Sequence, residues 1–196
     1  MSLIIGTYNQ WGQPWSGKRL GSSGLTVGRY GCYATSIAAL IKNYAIADDP
    51  GELGDKLNAI VGFDPGGLVK YDSVMRAYPQ LYFNERVYTT NDPSNNVQKM
   101  DIKVAINRIQ HLMKMGFPSI LCVDNVLNDG IPDHAVVCVE APYDLSKWKI
   151  MNPDGGKIEN FKERYGDVEK FLYGFVSIVG PPVESEMGGF GTAAWK

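Results

Sequence analysis

Cys32, His134 and a carboxamide or carboxylate at Asn152 or Asp154 have the types and the chain order for nucleophilic hydrolysis. A thiolate attacks an acyl carbon, an imidazole moves the proton, and a third group holds the ring through its other nitrogen. Cys32 follows Gly31 and opens an apolar run, so it stands where a helix begins. A helix start carries unpaired amide donors and partial positive charge. Both favour a thiolate, and the same amides can later bind an oxyanion. The approach Gly28-Arg29-Tyr30-Gly31 lets backbone and substrate come close. The competing fate of such a cysteine is a small packed core thiol. Of the two histidines, His111 lies off the apolar face of its helix and reads as a surface residue. His134 opens the apolar strand His134–Glu140 directly after Pro132-Asp133, where a side chain can face a cleft.

The next strand signal, Lys147–Asn152, ends in Asn152-Pro153-Asp154-Gly155-Gly156. If antiparallel to the histidine strand, its end lies beside the start of that strand. Asn152 and Asp154 can then each accept from the imidazole. Side chains alternate along a strand, which sets Asn152 on the face of Trp148 and Ile150, opposite Lys149 and Met151. Asp154 stands two residues further on, in a turn expected to curl away. The geometry therefore favours Asn152.

In this order the pieces resemble the bacteriocin-processing (double-glycine-leader) peptidase-like family of papain-superfamily cysteine peptidases. Gln10-Trp11, Trp15 and Leu20-Gly21 resemble its opening segment, and Val27–Cys32 followed by Ala34-Thr35-Ser36 its cysteine helix. His134-Ala135-Val136-Val137 resembles its histidine strand, and Ile150-Met151-Asn152-Pro153 its following strand end. The resemblance covers most of the chain, from residue 8 to 180. It implies a papain-like α+β fold, with N-terminal helices packed on a C-terminal antiparallel sheet. It implies a Cys32–His134–Asn152 triad acting through a Cys32–His134 ion pair and a thioester. It also implies that Gln10 contributes an amide donor to the oxyanion hole, with Gln13 as the alternative.

The positioning elements are legible around these residues. Ala34, Ile37, Ala38, Ile41 and Ala45 have helical spacing, so Cys32–Ala47 reads as a buried central helix. Shorter helices are predicted near 51–60 and 68–78, and 81–88 as a strand or extended loop. Asp101 caps a helix whose face is Ile102, Ile106, Ile109 and Met113, stopped by Gly116 and Pro118. Ser119–Asp124 and Tyr173–Val179 complete the strand signals. Helices first and sheet second means α+β.

With 196 residues the chain is expected to form one domain over 1–182, with a Gly-rich tail over 183–196. Net charge of −2 offers no basic surface for nucleic acid. No run of about 20 apolar residues could span a membrane. The N-terminus lacks the basic and apolar regions of a signal peptide, so the expectation is cytoplasmic synthesis with release by lysis or carriage by a virion. Cys122 and Cys138 read as core thiols. Asp124–Gly130 lacks calcium-loop spacing, and no zinc, phosphate-loop or dinucleotide signature occurs, so no metal or cofactor is expected. The expected partner is a peptide, protein or cell-wall peptide substrate. The function classes left are a processing peptidase, a phage-type peptidoglycan hydrolase, and a non-catalytic module that kept the fold.

Overall fold

Side-chain capping sets the start of three of the helices, after Asp49, Asp101 and Asn160. The computed structural model describes residues 3–124 and 133–181. After α1 (Val27–Tyr30) and α2 (Cys32–Ile41), α3 (Pro50–Ala59) opens on a capping box. Asp49 accepts from the Gly51 and Glu52 amides, and Glu52 accepts from the Asp49 amide. Next come α4 (Tyr71–Ala77), β1 (Tyr82–Thr89) and β2 (Lys99–Met100). Asp101 then caps α5 (Ile102–Lys114), as its sequence predicts. The rest is β3 (Ser119–Val123), β4 (His134–Glu140), β5 (Lys149–Asn152), β6 (Lys157–Asn160), α6 (Phe161–Tyr165), α7 (Val168–Phe171) and β7 (Gly174–Val179).

The strands form one sheet in the order β2-β1-β7-β3-β4-β5-β6. Every pairing is antiparallel except the short β1–β2 pair. β4 therefore lies inside the sheet, between β3 and β5, and its apolar residues alternate between two cores. Ala135 and Val137 join Ile120, Met151 and Val176 under α2 and α3. Val136 and Cys138 join Leu121, Ile150, Trp148 and Phe175 on the other face, under α5, α6 and α7. Each fully buried Leu, Ile or Phe here is worth about 1.5–3 kcal/mol.

The fold is α+β, as predicted, and helices cover both sheet faces. Two details differ from expectation. β1 and β2 precede α5, so the sheet is not confined to the C-terminal half. The cysteine helix is shorter than predicted and gives way to a 3-10 turn over Lys42–Tyr44. There Asn43 donates to the Gly116 carbonyl and Tyr44 to the Ile178 carbonyl, and Ala45 adopts φ of 57°. These tertiary anchors override a helical periodicity that continues to Ala45. The body of the rejected calcium loop and the expected tail over 183–196 lie outside the described residues.

Among the described residues no helix is long and apolar enough to cross a membrane.

Candidate active site

α2 packs along the sheet face, and its first residue is Cys32. Nine of its ten residues are buried; Tyr33 is the partly exposed one. Gly31 makes the approach possible: a Cβ there would sit 2.4 Å from the Val27 carbonyl oxygen. Only glycine lets α1 turn directly into α2. One turn along, Ser36 Oγ donates to the Ala135 carbonyl at 3.0 Å and fastens the helix to the start of β4. The Cys32 thiol lies 4.0 Å from the Asp133 carbonyl oxygen, one residue before His134.

His134 is buried, and its Nε2 lies 2.9 Å from Asn152 Oδ1. The β4–β5 register pairs Val137 with Met151 and Cys138 with Ile150. Continued to the strand ends, it puts Asn152 and His134 in diagonal positions on one face. Asn152 is held at both ends of its amide. Oδ1 also accepts from the Asp154 amide at 3.0 Å, and Nδ2 donates to Glu159 Oε1 at 2.7 Å. Asp154 does not curl away from the pocket, as its turn suggested; it lines it. Its carboxylate accepts from Trp11 Nε1 at 3.1 Å and pairs with Arg164 at 3.9 Å.

Gln10 reaches the same place from the N-terminal loop. Its amide N–H donates to the Pro153 carbonyl at 2.8 Å, tying the loop to the turn after Asn152. Gly156, at φ of 66°, packs under this loop so closely that a Cβ would meet the Asn9 amide at 2.7 Å. Gln10 Nε2 donates to the Gly28 carbonyl at 2.9 Å, while its buried Oε1 has no hydrogen-bond partner among the described residues. A primary amide has two N–H groups, so one stays available beyond Gly28. Gln13 donates to Ser16 at 2.9 Å and does not line the pocket.

Cys32, His134 and Gln10 open into one pocket of about 440 Å³. Trp11, Leu25, Arg29, Tyr30, Tyr33, Gly66, Gly67, Leu68, Asp133 and Asp154 complete its wall. Gly66-Gly67 forms a turn: Gly67 has φ of 84°, and Asp64 accepts from the Leu68 amide at 2.9 Å. It also forms one side of the pocket. Glu159 was missed altogether, and only its place on an exposed four-residue strand could have signalled it.

The electrostatics differ from the expected ion pair. Burial pushes the Cys32 thiol up to about 11, against smaller lowering effects from backbone donors. Burial also pushes His134 below its ordinary value, outweighing the Asn152 hydrogen bond. Both shifts favour the neutral thiol and neutral imidazole, so desolvation overrides the helix start. Cys122 is also raised by burial, and its Sγ lies 3.0 Å from the Tyr33 hydroxyl. Cys138 is raised and packs against the α5 face. His111 is exposed on α5. Among the described residues no cluster of His, Cys, Asp or Glu could hold a metal ion.

No family model and no curated protein matches the chain. Among solved structures it is similar to a Bacillus anthracis protein described as a candidate C39-like peptidase. The two share 13% identity and a TM-score of 0.46, over 79% of this chain and 90% of that one.

Proposed function

We propose that the chain is a papain-like cysteine peptidase, with Cys32 as nucleophile, His134 as acid and base, and Asn152 as the group that orients His134. The observation that carries this reading is the shared pocket: a cysteine at a helix start lines the same space as a histidine whose Nε2 is held by an asparagine. Asn152 Oδ1 can only accept, so the proton sits on Nε2 and leaves the Nδ1 lone pair for the thiol. Because burial disfavours a resident ion pair, the proton moves as the bond forms. Cys32 Sγ attacks the peptide carbonyl and His134 takes the thiol proton. The oxyanion is met by the Cys32 amide and the second N–H of Gln10. His134 then protonates the departing amine, leaving a thioester. Water attacks the thioester with His134 as base, and the thiol is restored.

Gly66 and Gly67 present backbone along one wall, and Trp11, Leu25 and Leu68 supply apolar contact. These features suit a peptide substrate. The test uses two substrates: a mixed peptide library analysed by mass spectrometry, and peptidoglycan in a zymogram. Cleavage of either one, lost in Cys32→Ser, supports a thiol hydrolase and names the substrate class. Cleavage of both at wild-type rate by Cys32→Ser contradicts the reading.

A further inference from the structure

The two ends of an asparagine amide have nearly the same shape and opposite hydrogen-bonding character. At His134 that difference decides the chemistry. With Oδ1 facing the ring, Nε2 carries the proton and Nδ1 can accept one. With the amide turned over, an N–H faces Nε2, which must then accept. The ring proton moves to Nδ1, and His134 can no longer take a proton from Cys32.

We propose that Glu159 is a positioning residue that selects the working tautomer of His134 by holding the Asn152 amide in one orientation. The proposal rests on the peptidase reading for its functional consequence, though not for its structural content. Asn152 Nδ2 donates to Glu159 Oε1 at 2.7 Å. An ionised carboxylate only accepts, so it rejects the turned-over amide, which would oppose oxygen to oxygen. β6 supplies the residue by register: Ile150 pairs with Glu159 and Asn152 with Lys157. Glu159 is therefore the diagonal neighbour of Asn152 on the same face. Arg164 Nε, from α6, lies 3.7 Å from the same Oε1 and 3.9 Å separates Arg164 from Asp154. The arginine thus lies against the carboxylate and helps to fix its place. The Asp154 amide, donating to Oδ1 at 3.0 Å, supports the same orientation from the other end. A chain of contacts runs from Arg164 through Glu159 and Asn152 to His134.

The experiment uses the full chain labelled with ¹⁵N-histidine. The exposed His111 is replaced by Gln to assign the two rings. At pH 8 the ring nitrogen shifts report which nitrogen of His134 carries the proton. Nε2–H is expected in the parent, and only in part in Glu159→Gln, whose amide can either accept from Asn152 or donate to it. In Glu159→Ala and Glu159→Lys the Nδ1–H form is expected to grow, most in the lysine variant, whose ammonium would attract Oδ1. The second readout is the burst of p-nitrophenol from p-nitrophenyl acetate that depends on Cys32. It should slow about tenfold in Glu159→Ala, the worth of one charge-assisted bond, and by less in Glu159→Gln. Unchanged Nε2–H in both Glu159→Ala and Glu159→Lys, with folding confirmed by circular dichroism, overturns the proposal. A tautomer shift without a slower burst upholds the amide lock and instead contradicts the Cys32–His134 coupling on which the peptidase reading depends.

Discussion

Titrating the native protein from pH 5 to pH 11 should reveal no resident thiolate at neutrality. Burial lifts the Cys32 thiol from 9.0 to about 11. At pH 7, about one such thiol in ten thousand is ionised, rising about tenfold per pH unit. His134 moves the other way, so its imidazole is neutral at pH 7. The assay is the ultraviolet thiolate band of the native chain minus that of Cys32→Ser, read with the ¹⁵N shifts of His134. The difference band should be absent at pH 7 and grow only near pH 10 and above. A linked effect on stability has a definite sign. The folded chain holds the thiol proton more tightly than the unfolded one. Stability from this group is therefore intact below pH 9 and falls as the pH rises through 11, by on the order of 3 kcal/mol. Cys32→Ser should flatten that part of the curve. A full thiolate band at pH 6–7, with protonated His134, would refute the argument: the two groups would then form an ion pair strong enough to overcome their burial.

Other substitutions separate the roles around the pocket. Asn152→Ala should lower peptide hydrolysis at least tenfold, because it frees the His134 ring, while Asp154→Ala should cost less; steady-state rates in the reverse order would make Asp154 the orienting group. Gln10→Ala should lower kcat about 10²-fold with KM little changed, and a loss below about threefold would leave the oxyanion to backbone amides. Gly31→Ala should destabilise the chain by about 1–3 kcal/mol in urea titration, since its Cβ would collide with the Val27 carbonyl; unchanged stability would mean α1 moves freely.

Much of this site could be read from residue type and order, because its parts sit at element boundaries. Gly31-Cys32 marks a helix start, Pro132-Asp133-His134 a strand start, and Asn152-Pro153 a strand end. Such junctions leave local signatures. β4 and the cap of α5 were legible for the same reason: a β-branched run and a capping Asp are local facts. What stayed hidden depends on distant partners or on burial. β6 is short and largely exposed, with no alternating apolar pattern, so neither the strand nor Glu159 stood out. The Trp11–Asp154 bond joins residues far apart in the chain. Gly66-Gly67 makes a turn whether or not a pocket lies beside it. The thiol pKa was misjudged because a helix start is visible in sequence while the desolvation that outweighs it is not.

The most direct test of the central claim is mapped covalent labelling with peptidyl vinyl sulfones. These place a carbon electrophile where a scissile carbonyl would sit. The account predicts one adduct per chain, on Cys32, formed much more slowly in His134→Ala and absent in Cys32→Ser. Cys122, bonded to Tyr33, and Cys138, packed in the core, should stay unlabelled. Labelling spread evenly over the three thiols, or at Cys32 with the same rate without His134, would contradict it.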